Sequence, residues 1–116
     1  MPKFSVVVPI YNRPDEISEL LETLVRQTYK YFEVVVVEDG STIPCKEEVM
    51  AIADRLDIKY YVKENGGQGF ARNFGYEKAS GEYFIVFDSD CLIPDHYLQT
   101  VHDSLEEAWV DAYGGP

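Results

Sequence analysis

Asp88 and Asp90 stand two apart at the end of the apolar run Tyr83 to Phe87 (YFIVF). Carboxylates at i and i+2 of a chain leaving a strand point to the same side, because side chains alternate with a period of two. Such a pair can hold one hard divalent cation. Mg²⁺ or Mn²⁺ takes only one or two protein carboxylates and fills its shell with water and phosphate oxygens, so Asp88 and Asp90 suffice as metal ligands where the ligand is a diphosphate. A structural alternative stays open, since Asp is also a favoured cap and turn residue.

Other uses of an acid pair fit less well. A calcium loop beginning at Asp88 needs an oxygen ligand at its fifth position and Gly at its sixth, where Leu92 and Ile93 stand. A haloacid-dehalogenase-like phosphatase opens with its D-x-D, whereas this one lies near the end. A response-regulator receiver carries an acid pair after the first strand, where this chain has Pro9-Ile10-Tyr11-Asn12.

A second signal is Asn65-Gly66-Gly67-Gln68-Gly69 ahead of a helix, whose N–H groups and helix N-terminus could face an anion. It is no P-loop, and Arg72 occupies the last glycine position of G-x-G-x-x-G. Arg72 falls in the first turns of an otherwise apolar helix, where a cation opposes the helix dipole; an anionic ligand or a salt bridge to one of the many acids would explain it.

Alternating elements position these residues. Phe4 to Pro9 and Phe32 to Val37 are β-branched and nearly continuous in hydrophobicity, the pattern of strands covered on both faces, and Tyr60 to Val62 and Tyr83 to Phe87 read as two more. Pro14 with Ile17, Leu20, Leu21, Leu24 and Val25 predicts a helix, as do Val49, Ile52, Ala53 and Leu56. Phe70, Ala71 and Phe74 predict a third, stopped by Ser80-Gly81, and Pro94 is expected to open a fourth carrying Tyr97, Leu98, Val101 and Leu105. A fifth strand is predicted at Trp109 to Tyr113. The order implies an α/β fold: a Rossmann-like, doubly wound, mainly parallel sheet with helices on both faces. Ligands of such sheets sit outside the carboxyl ends of the strands, where Tyr11-Asn12, Glu38-Asp39, Asn65-Gly66-Gly67 and Asp88-Ser89-Asp90 are delivered to one rim.

At 116 residues the chain makes one domain. A net charge of −11, from 21 acids against 10 bases, leaves no basic stripe for a phosphate backbone, so nucleic acid and anionic membrane surfaces are poor partners. No apolar run approaches the roughly 18 residues of a membrane span, and the N-terminus lacks signal-peptide features. Cys45 and Cys91 lie far apart without companions at metal-ligand spacing, which fits reduced thiols and a cytoplasmic location. His96 and His102 read as surface or boundary residues.

Taken together, SVVVPIYN, VVVVEDGS, ENGGQGFARNFG and EYFIVFDSD, in this order and spacing, resemble the nucleotide-binding half of family 2 glycosyltransferases with the GT-A fold. The resemblance covers nearly the whole chain. It implies transfer of a sugar from a nucleotide-diphosphate donor, a UDP-sugar by family frequency, to an acceptor hydroxyl with inversion and metal assistance. It also gives roles to the rim as a nucleotide-binding set of Pro9, Tyr11, Asn12, Glu38, Asp39, Arg72, Asp88 and Ser89. Within it, Pro9 and Tyr11 flank the base, Asp39 accepts a hydrogen bond from it, and Arg72 lies near base or phosphates. Asp88-Ser89-Asp90 is the metal-binding D-x-D, and Glu38 departs mildly from an Asp that is frequent at that position.

The resemblance places the general base and the acceptor surface beyond Pro116. Residues 1–116 are therefore expected to be the donor-binding part of a longer protein, inactive alone and prone to self-association through apolar surface left uncovered. The competing expectation is a non-catalytic nucleotide-binding or interaction module with the same fold. A sugar-nucleotide-forming nucleotidyltransferase is disfavoured by the absence of a glycine-rich loop after the first strand.

Overall fold

The computed structural model describes residues 3–108. Four strands and four helices alternate: β1 (Phe4–Ile10), α1 (Pro14–Val25), β2 (Phe32–Asp39), α2 (Lys46–Ile52), β3 (Ile58–Lys63), α3 (Gln68–Lys78), β4 (Tyr83–Val86) and α4 (Tyr97–Ala108). The strands form one sheet in the order β3-β2-β1-β4, and every pairing is parallel. Strand order reverses at β1. The switch point, where the chain diverges to either side and leaves a crevice, therefore lies between the ends of β1 and β4.

Alternation along β1 and β2 divides the core. Phe4, Val6, Val8 and Ile10 with Val34 and Val36 face one side, where Ile17, Leu20, Leu21 and Leu24 of α1, Val49 and Ile52 of α2, and Leu98, Val101 and Leu105 of α4 cover them. Val7, Val35 and Val37 face the other, under Ala71 of α3 with Phe74 beside it. Because both faces are covered, β1 and β2 are buried throughout, which is why their sequences show no polar alternation. Helix α3 lies unusually close to the sheet: a Cβ on Gly75 would stand 2.5 Å from Val7 Cγ1, so the absence of a side chain sets that spacing.

Several boundaries depart from expectation. β2 runs on to Asp39 because β3 pairs with it through Asp39↔Lys63. β3 itself is longer than Tyr60 to Val62 and half-buried, as befits an edge. β4 ends at Val86, although the Phe87 N–H still bonds Val7 O at 3.1 Å. α2 stops at Ile52, where Ala53 and Arg55 make tighter i to i−3 bonds, and Leu56 packs on the core from outside the helix. Pro94 does not open α4: its carbonyl accepts from Gln27 Nε2 at 2.6 Å and from Tyr97 N at 3.0 Å, and the helix begins at Tyr97. His96 is exposed ahead of that helix, but His102 is buried, its ring 5.0 Å from that of Tyr29. The strand predicted at Trp109 to Tyr113 lies outside the described residues.

One buried carboxylate ties α3 to the sheet. Glu33 in β2 is fully enclosed; its Oε2 accepts from Ser5 Oγ at 2.6 Å, Ser80 Oγ at 3.1 Å and Ser80 N, and its Oε1 forms an ion pair with Lys59 Nζ at 2.8 Å. Burial by itself would raise its pKa, but these donors outweigh burial and bring it down from 4.5 to about 2. A depressed carboxylate contributes stability above its unfolded pKa, and that contribution disappears as pH falls through the folded value. Urea unfolding between pH 6 and pH 2 should therefore show a loss on the order of 2 to 3 kcal/mol that Glu33→Gln largely removes.

Candidate functional site

The carboxyl ends of β1, β2 and β4 and the loop after β3 enclose an open cleft of about 540 Å³. Pro9, Ile10, Tyr11, Arg13 and Glu16 line it from the β1 end and the start of α1, Asp39 from β2, Asn65 and Gly67 from the loop before α3, and Asp88, Ser89 and Asp90 from the segment after β4. Of the positions singled out in sequence, Pro9, Tyr11, Asp39, Asp88, Ser89 and Asp90 thus meet in one cavity. Tyr11 is 51% exposed, leaving a ring face open to a planar ligand.

Glu38 and Asn12 lie behind that lining. Glu38 is buried, and its Oε1 accepts from Cys45 N at 2.7 Å and Tyr60 Oη at 2.6 Å, while Oε2 accepts from Ser41 Oγ at 2.6 Å. Burial and the Glu38 charge together push the Tyr60 phenol and the Cys45 thiol upward, so both stay protonated. Asn12 takes a left-handed conformation at φ 55°, tolerated best by Gly and Asn. Its Oδ1 accepts from Thr42 N at 2.8 Å and Ile43 N at 2.9 Å, and its own N–H donates to Ser41 Oγ at 2.8 Å. Together they staple the loop after β1 to the loop after β2.

Asp39 has a different environment. Oδ1 accepts from Lys63 Nζ and from Gly66 N, each at 3.0 Å, and Oδ2 from Gly67 N at 3.0 Å. Burial would raise this carboxyl, yet the Gly66 N–H, the Lys63 ammonium and the Gly67 N–H outweigh it and hold it below the usual aspartate range. The glycine N–H groups that could face an anion do face one, and it is the chain's own Asp39. The loop is held further by Asn65 Nδ2, which donates to Asp39 O at 3.1 Å, and by Gly40 at φ +69°, where a Cβ would collide with Asn65 N at 2.6 Å.

Asp88 to Cys91 forms a turn closed by Cys91 N to Asp88 O at 3.1 Å. The turn alternative therefore holds for the backbone, whereas helix capping does not, because α4 starts only at Tyr97. Asp88 and Asp90 are exposed, and Ser89 Oγ reaches Glu16 Oε1 at 3.4 Å. Among the described residues no group of three or more His, Cys, Asp or Glu side chains could hold a metal by itself. The donor set here is two carboxylates and a hydroxyl, all hard oxygens beside open space, which fits Mg²⁺ or Mn²⁺ sharing its shell with a phosphate ligand and fits no closed metal cage.

Arg72 does not reach this cleft. It is exposed on α3 and lines a separate cavity of about 390 Å³ with Gly66, Gly69, Phe70 and Asn73. Conversely, sequence reasoning passed over Arg13 and Glu16, which line the cleft and pair at 3.4 Å. Their place directly after the rim residue Asn12, entering α1, was the available signal. Lys63 was missed because its role comes from standing opposite Asp39 in the ladder.

An all-parallel sheet with an open cleft at its switch point defines an α/β domain that takes its ligand at the carboxyl ends of the strands. The model for glycosyl transferase family 2 matches residues 5–116, and the chain belongs to that family. Solved structures of S. aureus TarS residues 1–349 superpose with a TM-score of 0.85 at 38% identity over 90% of this chain and 32% of that chain, and complexes of TarS 1–349 with UDP and with UDP-GlcNAc are among them. A mannosyltransferase from Pyrobaculum calidifontis, solved with GDP-Man and Mn²⁺, superposes at 0.74 with 32% identity, covering 80% of this chain and 29% of its own. Glycosyltransferase GlyA of Streptococcus pneumoniae is 37% identical over 94% of this chain and 16% of its own length. The chain spans 15% to 38% of the length of the curated relatives it matches. The GT-A-like parallel layering expected from the sequence is the architecture observed.

The Asn12 staple makes a direct test of how the rim is held. Asn12→Ala loses the three hydrogen bonds that Oδ1 accepts from Thr42 N, Thr42 Oγ1 and Ile43 N and forces an alanine into the left-handed region, so urea unfolding should show a loss of about 2 to 3 kcal/mol. Asn12→Gly relieves only the backbone cost and should recover roughly 1 kcal/mol of that loss.

Proposed function

We propose that this chain is the donor-binding part of an inverting glycosyltransferase that takes a nucleotide-diphosphate sugar, a UDP-sugar first, and delivers the sugar to an acceptor hydroxyl. The observation that carries the proposal is the meeting of Tyr11, Asp39 and the Asp88-Ser89-Asp90 turn in one cleft at the switch point. Tyr11 and Pro9 hold the base by its faces, and Asp39 accepts a ring N–H. Arg13, the one cation among the described residues lining the cleft, stands where it can meet a phosphate oxygen.

Asp88 and Asp90 would hold Mg²⁺ or Mn²⁺. Four carboxylates, of Glu16, Asp39, Asp88 and Asp90, line the cleft. A phosphate about 4 Å from one of them is repelled by roughly 4 kcal/mol at an effective dielectric near 20, so an anionic donor needs a bridging cation here. When bound, the ion supplies charge neutralisation of the diphosphate leaving group. Arg72, outside the cleft, keeps its place near base or phosphates only for a donor that extends past Gly67 toward the start of α3. The general base that inversion requires belongs to the acceptor side.

The UDP and UDP-GlcNAc complexes of TarS and the GDP-Man and Mn²⁺ complex of the Pyrobaculum enzyme support a nucleotide-sugar donor and a metal. Among the described residues no helix is long and apolar enough to cross a membrane, and a cytoplasmic location belongs with the proposal. So does self-association, for which Tyr76 and Phe84, their rings tilted at 5.4 Å, offer surface: they are 38% and 36% exposed on α3 and on β4, one of the two outer described strands.

Calorimetric titration of UDP with and without Mn²⁺ tests the proposal. Binding should require the metal, and Asp90→Ala should weaken it at least about tenfold while leaving the unfolding midpoint within roughly 0.5 kcal/mol of wild type. Metal-independent binding that survives Asp90→Ala would remove the assigned role.

A further inference from the structure

Lys63 is the last residue of β3 and stands directly opposite Asp39 in the ladder. Its ammonium lies 3.0 Å from Asp39 Oδ1, with the two side chains 17% and 7% exposed. The ammonium also donates to the Glu64 carbonyl and sits under Gly66, where a Cβ would come within 3.1 Å of it. Yet Lys63 is absent from the cleft lining. Any effect it has on a ligand runs through the residue it holds.

The acceptor count on Asp39 gives that action a chemical content. A carboxylate offers about four lone-pair positions over its two oxygens. Lys63 and Gly66 occupy both on Oδ1, and Gly67 occupies one on Oδ2. One acceptor position remains, on Oδ2 of a residue that lines the cleft. Because the donors also favour the ionised form, that position can only accept.

We infer that Lys63 is a positioning residue for base selection, fixing Asp39 with Gly66 and Gly67 as a single aimed acceptor. The cleft would thereby take nucleobases with a ring N–H, such as uracil, thymine or guanine, and turn away cytosine and adenine. This deepens the nucleotide reading above and rests on it. In cytosine and adenine the corresponding ring nitrogen carries a lone pair, which a fixed carboxylate oxygen repels. Without Lys63, Oδ1 regains a free lone pair, the carboxylate loses its charged partner, and an Asp39 that takes up a proton could donate to such a nitrogen. Discrimination would fall before binding does.

Titrations of UDP, CDP and N3-methyl-UDP, each with Mn²⁺, against wild type, Lys63→Met and Lys63→Arg separate the possibilities. Wild type should favour UDP over the other two by about tenfold or more, since a polar site rejects analogues that cannot complete its hydrogen bond. Lys63→Met should shrink that ratio to under about threefold, and Lys63→Arg should restore most of it, which a merely structural role would not produce. If Lys63→Met does not fold, Lys63→Gln, which keeps a donor without the charge, replaces it. An unchanged ratio in folded Lys63→Met or Lys63→Gln overturns the positioning role while the nucleotide reading stands. Failure of wild type to bind any of the three removes both.

Discussion

Two adjacent carboxylates at the end of β2 hold the rim of this domain together, and they do so on opposite faces of the sheet. Side-chain alternation sends Glu38 toward Tyr60, Cys45 and Ser41, and Asp39 toward Lys63 and the N–H groups of Gly66 and Gly67. Burying a charge is costly unless it is met by donors, and each carboxylate here is met by three. Those donors come from β3 itself and from the loops after β2 and β3, and Ser41 extends the network to Asn12 after β1. The loops are therefore arranged by the need to satisfy two buried anions.

The same arrangement divides the cleft electrostatically. At the β2 end the charge of Asp39 is answered inside the protein by an ammonium and two peptide N–H groups. At the β4 end the turn from Asp88 presents exposed carboxylates to open space. A nucleotide lying along such a gradient would meet a neutralised acceptor with its base and a cation-seeking site with its phosphates. In a chain with a net charge of −11, long-range attraction of an anionic ligand is unavailable, so recognition has to be local.

Much of this was legible in the sequence. The continuous Val-rich strands announced burial on both faces, the 3.6-residue spacing placed α1, and the four polar segments were correctly assigned to one rim because parallel α/β topology leaves them no other end. What could not be read depended on pairing. Asp39 and Glu38 looked alike as neighbours, and only the ladder with β3 reveals that one lines the cleft and the other braces it. Arg72 looked like an anion contact because a cation near a helix start is unusual, but helical position alone does not say which cavity a side chain enters. Pro94 suggested a helix start by a general preference that a specific tertiary bond to Gln27 overrode.

That bond has a wider consequence. Gln27 is wholly buried at the end of α1, and its amide grips Pro94 O at 2.6 Å and Leu98 N at 3.0 Å, while the other end of the segment is moored where Phe87 N meets Val7 O. The acidic turn is thus slung between two fixed moorings like a short bridge deck. Asp88 and Asp90 are exposed, so the span's fold does not depend on burying them, but it does depend on its length: adding or removing a residue would leave the span slack or taut, and one mooring would have to give.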